Sequence, residues 1–421
     1  MSEEATQRVD GLINVLTALG TDRDKATHTH AAWVQPLDPM TLRALYRGSK
    51  YVGRICDLPA AEATREGWTV DAEAEINDTQ NERILRDWQS LELTQKLRKA
   101  DAWSAAFGGA AVVLGLLDGS ESQSEPTDVR RISRVLWARV LHRWQLRPVS
   151  WYSDPAADRF GEVEEYEVIS YGLANAAVMT RERVHESRVL PFRGVELPAE
   201  DLASVDYWGD PRTQRVWEAV RAMGVVEQGS ETAMHELRIF VLKLRLLELL
   251  EQDGDATVLR RLDLINQSKS VVNGILLDEG EDATQLTVDL SGAAAMYDRF
   301  AQSVAAAAEM PMTLLFGHAP AGLSTDDKSG TRYFYNRIRA RQVDAYAPNI
   351  ARAWQYLAAA RGYMLDEAPL VSFNSLEQES GLVQSQRHKT EAETDYLYWQ
   401  ADGLEDPRGR VLQQQQDDEV V

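Results

Sequence analysis

The chain has 421 residues, 44% of them hydrophobic, enough for two or three structural regions around a sizeable core. Its 45 basic and 66 acidic residues give a formal net charge of −21, which argues against a general duplex-DNA binder, since such binding rests on Lys and Arg neutralising phosphates. Cys56 is the single cysteine, so an internal disulfide or an all-cysteine metal or iron–sulfur site is excluded, and no apolar run approaches the roughly 18 residues that span a bilayer.

Residues 1–35 read as a polar, irregular arm whose acidic opening lacks the basic stretch and cleavage site of a secretory signal, which implies folding in a cytoplasm. Helical spacing begins near residue 39 with Leu42, Leu45, Tyr46 and Val52. Asp57–Leu58–Pro59 is expected to break it before a short helix from Ala60 to Glu66. Residues 78–106 read as one long helix with Ile84, Leu85, Trp88, Leu91, Leu97 and Trp103 as its stripe. A glycine-loosened turn then enters a buried strand through Gly115, and the Ser, Glu and Pro-rich stretch 118–128 reads as a surface loop. Strands at Val135–Val140, Glu164–Ile169 and Val189–Phe192 point to an α+β domain with an antiparallel sheet.

Asp210 and Pro211 form a helix start, as N-cap and first helical residue, with Gly224 and Gly229 loosening the far end. Residues 236–250 are compatible with strand or helix. A helix through Leu259–Ser270, a strand Asn273–Asp278 and a hairpin partner Gln285–Val288 follow. A second helix spans 291–309 and stops at Pro311. The glycine-rich stretch 312–330 reads as a loop. A helix over 331–361, kinked at Pro348 and ended by Gly362, comes next. Residues 377–400 read as helical and charged.

Catalytic signatures are approached but not met. Gly317 to Ser324 fits G-x-x-x-x-G-x-S, yet Leu323 stands where a phosphate loop needs lysine, and Asp326 and Asp327 would repel a nucleotide. His28 and His30 have no evident third metal ligand and read as chance spacing. Cys56 reads as a buried structural thiol, and the eleven tryptophans as core or interface anchors. No catalytic residue, metal or cofactor is expected. The acidic charge itself has two readings, a well-solvated surface or a wall that faces DNA without holding it, and composition does not choose between them.

The segment Met310 to Ile338, MPMTLLFGHAPAGLSTDDKSGTRYFYNRI, closely resembles the signature of bacteriophage portal proteins. The matching residues are Pro311, Thr313, Leu315, Phe316, Gly317, Pro320, Gly322, Leu323, Arg332, Tyr333, Tyr335 and Ile338. Further blocks in the family's order lie at Leu19–Lys25, Tyr46–Arg65, His235–Leu247 and Phe373–Asp395. Ala319 and Ser324 depart from the commoner serine and asparagine, and Asp406-Pro-Arg408 from a Glu-x-Arg.

The resemblance implies an α+β portal-like subunit: an arm at 1–35, a wing at 36–210, a first stem helix at 211–235, and an α/β clip at 236–290. A second stem helix at 291–309, a tunnel loop at 310–330, a long helix at 331–362 and a C-terminal segment at 363–421 complete it. Gly317, Gly322, Ser324, Thr325, Asp326, Asp327, Lys328 and Gly330 would face the DNA channel. The implied assembly is a homo-oligomeric ring of about twelve copies at the capsid vertex of the virion. Double-stranded DNA would pass through it without sequence specificity, and the terminase large subunit, a head–tail adaptor and capsid or scaffold protein would dock on it, with no membrane role. The runner-up is a degenerate or unusual packaging NTPase, and the blandest alternative a soluble α+β protein of other function.

Overall fold

The computed structural model describes residues 36–71, 76–156, 158–171, 179–236, 239–243, 282–286, 292–317, 328–365 and 367–376, together with 389, 390 and 394. Helix α1 (Pro39–Gly48) starts where the Asp38 carboxylate accepts from the Met40 and Thr41 amides, with a proline in its first turn. Helix α2 (Lys50–Arg65) runs straight through Pro59, so the break expected there is absent. Tyr51, Val52, Ile55 and Cys56 before the proline and Ala60 and Ala63 after it form one buried face. A large buried side chain contributes roughly 1.5–3 kcal/mol, so this face outweighs a proline penalty of about 3 kcal/mol.

Strand β1 (Trp68–Asp71) is followed by two helices where the stripe suggested one. α3 (Asp78–Ser90) opens with a reciprocal Asn77–Gln80 capping box, and α4 (Leu93–Phe107) begins after Glu92, which is left-handed at φ 52°. Left-handed Gly108 (φ 91°) then turns the chain into β2 (Gly109–Leu117).

β2 is central between β3 (Arg134–His142) and β7 (Val189–Arg193), both antiparallel to it. A second antiparallel sheet has the order β4 (Leu146–Trp151), β5 (Val163–Tyr171), β6 (Met179–His185). Of these, β4 and β6 were not anticipated. The period of two in β2 sends Ala110, Val112 and Leu114 into the main core. Ala111 and Val113 face a second cluster with Leu146, Tyr166, Val184 and Trp208. Arg188 is fully buried beneath this strand layer and paired with Asp118 at 2.7 Å, so the loop expected at 118–128 begins on a buried ion pair. The remaining tryptophans divide: Trp88, Trp208 and Trp354 are buried, whereas Trp137 is exposed.

After the short α5 (Ala199–Leu202), helix α6 (Arg212–Glu236) continues through Gly224 and Gly229, neither of which loosens it. It packs on α7 (Ala293–Ala308) after an antiparallel pair, β8 (Ile239–Lys243) and β9 (Asp282–Leu286). β9 overlaps the hairpin partner expected at Gln285–Val288 and pairs with β8, while the strand expected at 273–278 and the helix expected at 259–270 lie outside the described residues. The α6 residues Val216, Val220 and Met223 and the α7 residues Ala301, Val304, Ala305 and Ala308 are buried in one core at helical spacing.

Glu309 (φ 53°) ends α7, and α8 (Met312–Phe316) occupies the start of the expected loop. Helix α9 (Lys328–Arg341) begins three residues earlier than expected, so Lys328, Ser329 and Gly330 are helical, not loop. A π-helical turn, Gln342–Tyr346, joins it to α10 (Ala347–Ala360). Pro348 lacks the N–H that would bond back to residue 344, and the widened turn accommodates that loss. Gly362 (φ 78°) ends α10, and β10 (Leu370–Phe373) pairs with β1, joining Trp68 to Phe373. Most of the helix expected at 377–400 lies outside the described residues. The architecture is α+β.

Candidate functional site

The sequence-predicted loop leaves from a tightly moored base. Met310 and Pro311 are buried, and Leu315 anchors α8 in the core. The Arg54 Nε donates to the Leu314 carbonyl at 2.9 Å, and the Phe316 ring lies 5.3 Å from that of Tyr51. The Thr313 carbonyl accepts from the amide of Gly317, whose left-handed φ of 81° reverses the chain at the end of α8. Gly317 therefore has a turn function that its residue type signalled.

Pro320, Gly322, Leu323, Ser324, Thr325, Asp326 and Asp327 lie outside the described residues. On the return side, Arg332 and Tyr333 are exposed on α9, while Phe334 and Ile338 are buried. Tyr335 packs beside Phe334 and under the Arg65 guanidinium, whose carbon lies 5.7 Å from the ring. An ion pair between Arg337 and Glu309 ties α9 directly to the end of α7, so both ends of the segment are joined to each other.

The long paired helices are clamped to the same body. Glu227 of α6 takes a hydrogen bond from the Tyr51 hydroxyl and an ion pair from Lys50 at 2.9 Å. Burial raises the Tyr51 pKa, and the Glu227 carboxylate raises it further, so the phenol remains a donor.

Beneath this base is a polar centre that sequence reading missed. Asp101 Oδ1 accepts from Arg341 Nε at 2.9 Å and Nη2 at 2.7 Å, and Oδ2 accepts from the Tyr346 hydroxyl at 3.0 Å. The same Arg341 also donates to Ser104 Oγ (3.0 Å) and the Arg193 carbonyl (3.1 Å). Burial works against the Arg341 charge, but the Asp101 carboxylate outweighs it and holds the guanidinium above its ordinary pKa. The partners are 240 residues apart, and nothing in either local segment announces the pair. Cys56 lies at the rim, its thiol 3.8 Å from Thr213 Oγ1 and pushed by burial to about 12, which makes it an unreactive structural thiol.

Among the described residues no group of three or more His, Cys, Asp or Glu could hold a metal ion, and no helix is long and apolar enough to cross a membrane.

Residues 40–397 match the family described as phage portal protein. The chain belongs to the phage portal protein family. A protein of Sphingomonas paeninsulae called anti-CBASS protein Acb1 is 30% identical over 357 residues, which cover 82% of this chain and 55% of that one. The chain thus spans about half the length of the curated relatives of that name.

Solved structures share the fold at low identity. A chain from the neck of a native gene transfer agent particle, computed with C12 symmetry, superposes with TM-score 0.51 at 14% identity, covering 90% of this chain and 94% of that one. A chain from the virion of the native gene transfer agent particle gives TM-score 0.55 at 14% identity, covering 92% and 96%. The expected α+β fold class and portal family are borne out.

Proposed function

We propose that this portal protein works as one subunit of a closed ring at the capsid vertex of the virion, through which double-stranded DNA enters, is retained and leaves. The family match over residues 40–397 carries this reading. The C12 symmetry of the gene transfer agent neck supports a ring of about twelve copies, since heterologous contacts close around one axis. In this reading residues 36–210 are the wing, and α6 and α7 the stem flanking the clip at 236–290. The segment 310–330 becomes the tunnel loop, 331–362 the long helix, and 363–421 the C-terminal segment.

Terminase, a head–tail adaptor and capsid or scaffold protein are its docking partners, and subunit synthesis takes place in a bacterial cytoplasm. The subunit is not an enzyme. Leucine at position 323 cannot neutralise a nucleotide phosphate, which weighs against the packaging-NTPase alternative. In this reading the wall of the bore is largely acidic and gives a moving duplex few places to stick.

Negative-stain images and the mass of the purified protein test the ring directly. A particle near half a megadalton with a central channel is expected from about twelve chains. A chain that remains monomeric at high concentration, and forms no rings within capsids, would refute the proposal.

The channel-lining role falls to Gly317, Gly322, Ser324, Thr325, Asp326, Asp327, Lys328 and Gly330, with the last two now at the helical exit. Because α9 starts at Lys328, a deletion that spares the helix ends at Asp327. Removing Ala321 to Asp327 is expected to leave rings intact, because the mooring contacts lie outside it, and to lower the DNA packaged or retained. Normal packaging and retention by that variant would remove the gating role, and loss of rings would make the segment an assembly element.

A further inference from the structure

A cavity of about 130 Å³ opens between α2, α4, the start of α6, the end of α7 and α9. Four arginines line it, Arg193, Arg212, Arg337 and Arg341, against two carboxylates, Asp101 and Glu309. Both carboxylates are already engaged, Asp101 by Arg341 and Tyr346 and Glu309 by Arg337. The Arg212 guanidinium has neither a hydrogen bond nor an ion pair among the described residues, although the residue is partly buried at the cavity wall.

Its charge is disfavoured by burial and by the neighbouring Arg341, with Asp101 the opposing influence. Arg337 is likewise disfavoured by burial and by Arg212 and Arg215. A cationic cleft in which the Arg212 guanidinium is unmatched, in a chain of net charge −21, is a local inversion of the protein's electrostatics. Desolvating a guanidinium without a partner is costly, and a charge-assisted hydrogen bond from an oxyanion relieves that cost.

We propose that this cleft receives a single carboxylate from an acidic side chain of the adjacent copy in the ring, with Arg212 as its principal partner. The inference rests on the ring reading above. The cavity volume decides against nucleic acid: it admits one oxyanion head on a free stem, whereas a backbone phosphate carries a sugar on both sides. Charge complementarity favours a neighbouring copy, because its 66 acidic residues are held at high local concentration by ring closure. Heterologous contact also brings a different face of the neighbour to the cleft.

The test compares the wild-type chain with Arg212→Gln and Arg212→Lys by mass photometry over a dilution series. Ionic strength is held constant, with either chloride or inorganic phosphate as the anion. The concentration of half-assembly is expected to rise about tenfold for Arg212→Gln. A smaller rise is expected for Arg212→Lys, which keeps the charge but loses the planar fork. Phosphate should weaken wild-type assembly relative to chloride and leave Arg212→Gln unmoved.

Below the concentration of assembly, thermal unfolding of Arg212→Gln should match or exceed that of wild type, since an unpaired desolvated charge is gone. Competition by phosphate uses the unaltered protein, so it decides the matter even if a variant fails to fold. Rings that assemble alike for wild type and Arg212→Gln overturn this inference alone. Phosphate that binds without shifting assembly makes the cleft a free-ion site and overturns it too. A wild-type chain that never forms rings overturns both this inference and the portal-ring function.

Discussion

Replacing Asp101 with alanine is expected to lower the unfolding free energy by about 3 kcal/mol, since removing one partner leaves a buried charge without compensation. Arg341 loses two hydrogen bonds to Oδ1, and the buried Tyr346 hydroxyl loses its acceptor at Oδ2. Arg212, already unmatched, then faces Arg341 across the cavity without the carboxylate that opposes their repulsion. The loss concentrates where α4, α6 and α9 meet, so the orientation of the stem and of the loop's exit helix should suffer together. Asp101→Asn keeps one acceptor oxygen for Arg341 and sets an amide N–H, which the Tyr346 hydroxyl oxygen can accept, in place of Oδ2, and should cost less than alanine. Urea unfolding of the two variants beside wild type checks this. Equal midpoints for alanine and wild type would show that the centre is held by packing alone.

The parts legible in the sequence were those whose signal is local. The buried run of β2, the alanine-rich α7 ended ahead of Pro311 and the glycine that closes α10 each follow from nearby residues. The merged helix at 78–106 failed because its break is Glu92, a residue whose type gives no hint of a left-handed backbone. α2 failed in the opposite sense, since Pro59 signals a break that the buried face on either side overrides. β4 carries Pro148, which masks a strand, and it is tolerated because β4 lies at a sheet edge with a bulge there. β6, with the sequence MTRERVH, is too polar for its alternation to stand out. The loop's family motif was readable as a string. The polar centre under it was not, because Asp101, Arg212 and Arg341 meet only through tertiary packing, and each alone looks like a solvated charge.

Gly194→Ala should be among the most destabilising single-methyl changes in the chain, at about 3 kcal/mol, the upper end of the usual cost of overpacking. A Cβ at residue 194 would overlap the carbonyl oxygens of Gly108 and Asp210, which are backbone atoms without a rotamer to escape into. Those oxygens belong to the junction that fixes the start of α6. The Gly194 amide donates to Gly108 at 3.0 Å and to Trp208 at 3.2 Å, and Val195 and Asp210 exchange backbone bonds of 2.8 and 2.9 Å. Trp208 carries the strain onward, because it is buried, stacked near Tyr166 and bonded through Nε1 to the Leu146 carbonyl at 3.0 Å. The constraint is one of space, since Gly194 is not among the residues with positive φ. Gly224→Ala is the matching control: it lies inside α6 with nothing within 4 Å of its would-be Cβ. There alanine should stabilise by about 0.5–1 kcal/mol through helix propensity. Urea unfolding of both variants should therefore shift in opposite directions. A Gly194→Ala midpoint at or above the wild-type value would mean that β7 and the start of α6 can separate without loss, and that the paired helices are not held to the sheet at this junction.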